Sequence, residues 1–331
     1  MQINQKFRND ILNFQNQFSV GAELAEHIKL KFKPSRIYVC GMGGSSFFAE
    51  IINNLNLFHF ESEVMIRPLR DYKVPVKIEP EDLFLVISHS GNTEESLAAL
   101  EELMAKNANI VIISHGGKLL EIAEAYKIPH VIIPGGTQPR LATGYFISAI
   151  TQILENAKVL PTGSVKDLVD STTKLNSLVN EDMALGLAKK IAGRGNCKVP
   201  IIYGQEETEG LARAAKIKFN ENCKIQSFYN FFPELNHNEM VGFTKMIMQP
   251  FFIFLKSELS SPRNNLRIEK FIEVLKLKGE DYFIFEMPGN NLITQTFATY
   301  IFVDLVTLHL ANFLDIDPEP VAMVEAFKGM L

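Results

Sequence analysis

The 331-residue chain has few cysteines and no surplus of positive charge, and each shortage excludes a class of protein. Cys40, Cys197 and Cys223 are odd in number, far apart and never in CxxC spacing. They build no disulfide framework and fit reduced thiols, so a cytoplasmic setting is expected. A net charge of -5 offers no broad basic field for a nucleic acid, and the aromatic residues are not interleaved with basic ones. A small anion can still be held locally. No HxxH or HExxH pattern and no carboxylate cluster with zinc spacing occurs, so neither a catalytic metal nor a cofactor is expected. The opening MQINQKFRNDILNFQ lacks the continuous apolar stretch of an export signal and reads as a helix. Two apolar runs resemble membrane spans only at first sight. Residues 246–255 are too few, and residues 297–314 carry Asp304, His309 and Asn312, which fits a buried core or dimer helix.

What is present is an ordinary globular composition, 47% apolar and 21% charged, in a chain long enough for two domains. β-Branched runs at 36–40, 63–66, 83–87, 110–113 and 130–133 alternate with helical stretches at 94–106 and 118–126. That alternation predicts an α/β fold with a parallel sheet and crossover helices. A longer helical region follows Arg140 and ends near Pro161-Thr162-Gly163, which reads as a linker continued by a polar helix over 166–190. A second alternation begins with a strand at 200–203 and a helix at 209–222, with further strands near 224–228 and 282–286. Two domains are therefore expected, 1–158 and 159–331, each a parallel sheet flanked by helices.

Two turns carry the chemistry of the first half. Cys40-Gly41-Met42-Gly43-Gly44-Ser45-Ser46 follows a strand and opens a helix, an arrangement in which glycines let the backbone approach an anion and the helix start offers free amides. It departs from a dinucleotide fingerprint at Ser46, where the third glycine would stand, and no ribose-binding acid follows a second strand. A tight turn that binds nothing is the plain alternative. Ser88-His89-Ser90-Gly91-Asn92-Thr93 leads from a strand into an acidic helix. Ser88, Ser90 and Thr93 bring three hydroxyls to one strand end, enough to bind several oxygens of one phosphate. No P-loop lysine follows, which argues against a nucleoside triphosphate. The alternative is that Thr93 only caps the helix and the serines only fill the turn.

Together, GMGGSS and SHSGNTEES resemble the paired phosphate-site signatures of sugar isomerase (SIS) domains. The resemblance implies that Gly43, Gly44, Ser45, Ser88, Ser90 and Thr93 hold a sugar phosphate. Gly135-Gly136-Thr137-Gln138-Pro139-Arg140-Leu141-Ala142 is similar to an element of the bifunctional phosphoglucose/phosphomannose isomerases. There the arginine faces the reacting carbons, so Arg140 is implied to stabilise an enediolate; a plain ion pair is the alternative. Phe219-Asn220-Glu221-Asn222-Cys223-Lys224 and Pro233-Glu234-Leu235-Asn236-His237-Asn238-Glu239 resemble the same family's NENxK and PELNHNE.

That family interconverts glucose 6-phosphate, and mannose 6-phosphate, with fructose 6-phosphate through a cis-enediol. Glu221 takes the place of the base and His237 that of the ring-opening group, roles a carboxylate and an imidazole can fill near neutral pH. Taken singly, Glu221 could pair with Lys218 or Lys224, and His237 could be a structural hydrogen bonder. The resemblance also implies a homodimer in which the histidine crosses to the partner subunit. Lys328 in the last helix corresponds to a lysine that assists ring opening, and Val321 stands about where members acting on mannose 6-phosphate carry threonine. Residues 256–292 resemble the family least and are expected to hold an insertion. An aminosugar-phosphate deaminase or deglycase, and a sugar-phosphate sensor, are the rival readings.

Overall fold

Apolar runs buried on both faces suit the central strands of covered parallel sheets, and the chain builds two such sheets. The computed structural model describes residues 3–330. Helices α1 (Gln5–Asn13) and α2 (Gln17–Ala25) precede β1 (Arg36–Cys40), α3 (Phe48–Phe58), β2 (Ile66–Leu69), β3 (Asp82–Ser88), α4 (Glu94–Ala105), β4 (Asn109–Ser114), α5 (Gly117–Tyr126), β5 (His130–Ile132) and α6 (Thr143–Asn156). Helices α7 (Ser164–Thr172), α8 (Leu175–Leu178) and α9 (Glu181–Ala192) follow. The chain then forms β6 (Val199–Gln205), α10 (Glu209–Cys223), β7 (Phe228–Phe232), β8 (Pro250–Lys256), α11 (Pro262–Lys278), β9 (Asp281–Glu286), α12 (Leu292–Phe313) and α13 (Ala322–Lys328).

One compact unit comprises residues 13–175 with 291–294. Its sheet has the order β2-β1-β3-β4-β5 with every pair parallel. Strand β1 pairs on both sides, so the winding reverses between β1 and β3, and their carboxyl ends open the crevice where such sheets take ligands. Tyr38, Phe84, Val86 and Ile112 pack with Leu100 and Leu103 of α4 in its core. Phe48 of α3 stacks on Phe146 of α6 with centroids 5.1 Å apart.

The other unit comprises, among the described residues, 3–12, 176–290 and 295–330. Its sheet, β7-β6-β8-β9, is also parallel and reverses at β6 and β8, so it repeats the first plan. Its core is more aromatic, with Tyr203, Phe232, Phe252, Phe254 and Phe271 in mutual contact. Helix α12 has the length and composition to cross a membrane, yet 89% of its apolar window is buried inside the protein.

Several sequence expectations shift. Strand β2 begins at Ile66, where 63–66 was expected, and carries Pro68, which an edge strand tolerates. Strand β7 starts at Phe228 instead of 224, because Lys224 adopts a left-handed conformation that caps α10. The polar helix expected over 166–190 breaks into α7, α8 and α9, the last started by Asn180, whose side chain accepts the Met183 N–H at 2.9 Å. Residues 256–292 contain α11 and β9, a crossover helix and the sheet's edge strand, and so belong to the framework of the sheet instead of an insertion. The compact units also divide the chain otherwise than 1–158 and 159–331. Helix α7 stays with α6 and α2, while α1 joins the second unit through the Arg8–Glu181 ion pair at 2.6 Å and the Leu12 carbonyl, which accepts from Asn176.

Candidate active site

Three loops at the carboxyl end of the first sheet bring the predicted phosphate residues together. Residues 41–46 follow β1, residues 88–93 end β3, and residues 135–140 lie beyond β5. Ser88 Oγ lies 2.8 Å from Thr93 Oγ1 and 3.4 Å from Ser90 Oγ, so the three hydroxyls form one cluster. Thr93 occupies the N-cap of α4 but makes no side-chain capping bond there, and its hydroxyl turns to Ser88 instead. The first amides of α4 thus lack a side-chain acceptor and add their dipole to the hydroxyls. Ser45 Oγ accepts the His89 N–H at 3.1 Å, which ties the first turn to the second.

The loop is held from behind. Gly91 has φ +69°, and a Cβ there would lie 1.7 Å from the Gly116 carbonyl, so the turn admits only glycine. Ser114 Oγ donates to the Ser88 carbonyl at 2.7 Å, and Asn92 Oδ1 accepts the Lys118 N–H at 3.1 Å. Arg140 is buried, 1% exposed, and its Nη1 donates to Gln138 Oε1 at 3.3 Å. A Cβ on Gly44 would stand 3.3 Å from Arg140 N, so the first turn and the arginine loop touch through their backbones. Gly43, Gly44, Ser45, Ser88, Ser90, Thr93 and Arg140 therefore share one end of one sheet. Burial, and next the neighbouring His115, lowers the His89 pKa from 6.5 to about 4, so its ring is neutral at pH 7.

Sequence reasoning missed Arg70, whose Nε donates to Ser46 Oγ at 3.0 Å while its guanidinium also pairs with Glu50. Nothing in the spacing announces it, because 24 residues separate Arg70 from Ser46.

Glu221, His237 and Lys328 lie in the other unit. Glu221 sits half-buried in the last turn of α10. The helix around it is fixed to α12: Asn222 Nδ2 donates to Thr307 Oγ1 at 2.8 Å, and Lys218 is paired with Asp304. Both members of that pair are 1% exposed, and the Lys218 ammonium lies 3.3 Å from the Tyr300 ring centre. Asn220 Nδ2 donates to the Ile225 carbonyl at 2.8 Å, and Lys224 Nζ donates to the Glu221 carbonyl at 2.7 Å. The residues flanking Glu221 are thus occupied in holding the helix end.

The same division of labour holds in residues 233–239. Leu235 is in the core, and Asn236 Oδ1 accepts from Arg267 at 3.2 Å. Glu239 accepts from the Tyr203 hydroxyl and, at 2.6 Å, from Asn230 Nδ2. Asn238 donates to Glu234 Oε1 at 2.7 Å. His237, between these anchored residues, is exposed. Lys328 lies on α13, which buries no residue, and its Nζ donates to Glu325 at 2.8 Å.

Comparison with known proteins bears on the family to which these residues belong. Residues 31–119 match the model of the SIS domain, and residues 181–331 match that of the bacterial phospho-glucose isomerase C-terminal SIS domain. The chain is 33% identical to a bifunctional phosphoglucose/phosphomannose isomerase of Thermoplasma acidophilum over 89% of each chain. It is 31% identical to one of Caldicellulosiruptor bescii over 97% of each. A D-glucosamine-6-phosphate 4-epimerase of Sulfolobus acidocaldarius is 34% identical over 62% of this chain and 63% of that one. Among solved structures, hypothetical protein TT0462 of Thermus thermophilus superposes with TM-score 0.77 at 14% identity, covering 98% of this chain and 93% of that one. Tagatose-6-phosphate ketose/aldose isomerase of Escherichia coli superposes with TM-score 0.64 at 17% identity, covering 95% and 91%. These structural likenesses show the fold, while the near full-length sequence relatives show more: the chain belongs to the bifunctional phosphoglucose/phosphomannose isomerase family.

Proposed function

We propose that the protein interconverts glucose 6-phosphate, and mannose 6-phosphate, with fructose 6-phosphate. The observation that carries this reading is the hydroxyl cluster of Ser88, Ser90 and Thr93 at the switch point of the first sheet, in a chain of this family. The substrate phosphate is held there by those hydroxyls, by Ser45, and by the amides of Gly43 and Gly44 and of the α4 start. Glu221 moves one proton between the two adjacent carbons of the cis-enediol. Arg140 stabilises the enediolate charge. His237 shuttles the proton that opens the pyranose ring, and Lys328 assists it.

His237 is exposed beside anchored neighbours, which supports a homodimer in which it reaches the partner subunit's substrate. Free thiols at Cys40, Cys197 and Cys223, with burial pushing Cys40 up to about 12, fit a reducing cytoplasm. The test is formation of fructose 6-phosphate from glucose 6-phosphate and, separately, from mannose 6-phosphate. Turnover of both supports the reading and shows that Val321 is tolerated. Turnover of neither, with deamination or epimerisation of glucosamine 6-phosphate, refutes it.

A further inference from the structure

His89 lies inside the phosphate turn, yet none of the roles above uses its ring. Its backbone N–H is committed to Ser45 Oγ, and its ring packs against His115, with centroids 5.7 Å apart, and against Phe146 at 6.3 Å. Its Nε2 is buried without a hydrogen-bond partner. His115, just beyond β4, sets Nδ1 3.2 Å from the Ile133 carbonyl. The same ring fills the space beside Gly135: a Cβ there would stand 2.1 Å from His115 Cε1. Gly135 begins the loop that ends at Arg140. Contacts therefore run without a break from Ser45 through His89 and His115 to the start of the arginine loop, while Gly44 touches that loop at its far end.

We propose that His89 and His115 are a positioning pair that couples the shape of the phosphate turn to the placement of the Arg140 loop. The inference rests on reading Arg140 as the enediolate stabiliser. Such a pair works only while it is not doubly charged, and the lowered pKa of His89 keeps it so across the neutral range. The titratable group that bears on His89 is His115, from the loop after β4, and α6 packs the Phe146 ring against it.

The experiment is steady-state kinetics of glucose 6-phosphate isomerisation. His115 is exposed, so His115→Ala leaves the fold intact. The proposal expects kcat to fall at least about 10-fold, because a small misplacement of a group acting on the transition state is costly, with KM within about 2-fold. His115→Phe, which keeps a planar ring, restores most of the loss. Gly135→Ala lowers kcat in the wild-type background and much less in the His115→Ala background, since the ring it would meet is gone. A rise in KM at unchanged kcat, or an equal cost of Gly135→Ala in both backgrounds, overturns the pair while leaving the isomerase reading standing. A wild type inactive on both aldose phosphates overturns that reading and the pair with it.

Discussion

The two sheets share a topology and differ at the one place where topology predicts a ligand. At the first switch point, between β1 and β3, the serine and threonine hydroxyls bond to one another and to the Gly91 and Asn92 N–H groups of their own turn, and the start of α4 has no side-chain cap. At the second, between β6 and β8, Gln205 is fully buried at the end of β6. Its carbonyl oxygen accepts the Ser257 N–H at 2.9 Å, and its amide donates to Asn265 Oδ1 at 3.0 Å. Ser257 Oγ in turn donates to Gln295 Oε1 at 2.6 Å, and Ser261 caps α11 by accepting the Asn264 N–H at 3.2 Å. The Gln205 side-chain oxygen here takes the Ser257 N–H, a backbone donor of the kind an anion would use. The fold repeats one switch point, and a few terminal side chains distinguish the two; on the proposed reading the first is the one left for substrate. On the proposed reading the second unit instead contributes reacting groups, Glu221 from the end of α10 and His237 from the loop after β7.

If binding belongs to the first unit and proton transfer to the second, the largest effect comes from Glu221→Gln. Its kcat should fall about 1000-fold, in the range of general acid–base catalysis, while calorimetric affinity for fructose 6-phosphate stays within about 3-fold. Paired substitutions at the two switch points sharpen the contrast. Ser88→Ala with Thr93→Ala should weaken sugar-phosphate binding at least about 10-fold, as expected for lost charge-assisted bonds. Ser257→Ala should leave KM unchanged and lower stability by about 1 kcal/mol, measured by urea unfolding. A loss of affinity in Ser257→Ala would break the comparison.

The first side of this contrast was legible in the sequence, and the reasons why the second was not are physical. The turns at 41–46 and 88–93 declare themselves because glycine and hydroxyl residues must follow one another locally. Strand β8 reads only as an apolar run, since a central parallel strand is buried on both faces and loses its alternation. Gln205, Arg70 and the Lys218–Asp304 pair are silent in the sequence because their partners lie 52, 24 and 86 residues away. A glutamine that plugs a crevice looks like any other until its partners are in place.

The buried pair behind Glu221 marks a further difference between the units. Lys218→Met removes the cation paired with the buried Asp304 and should cost about 3–5 kcal/mol, read as a shift of the urea midpoint. Lys218→Met with Asp304→Leu should recover most of it. The smallest effect belongs to His89. With its folded pKa lowered from 6.5 to about 4, the unfolded chain takes up the proton first as pH falls. Its contribution is intact above pH 6.5 and is lost as pH falls from there toward 4, so stability declines across that window. Between pH 7 and pH 5 the midpoint of thermal unfolding should drop about 2 °C more in the wild type than in His89→Gln. An equal drop would remove His89 from the account.

The most direct test of the central claim is a crystal structure with fructose 6-phosphate bound. The account predicts one phosphate per chain, within hydrogen-bond reach of the Ser45, Ser88, Ser90 and Thr93 hydroxyls, with Gln205 still bonded to Ser257. A phosphate seated between β6 and β8 with Gln205 displaced, or none at the first turn, would contradict it.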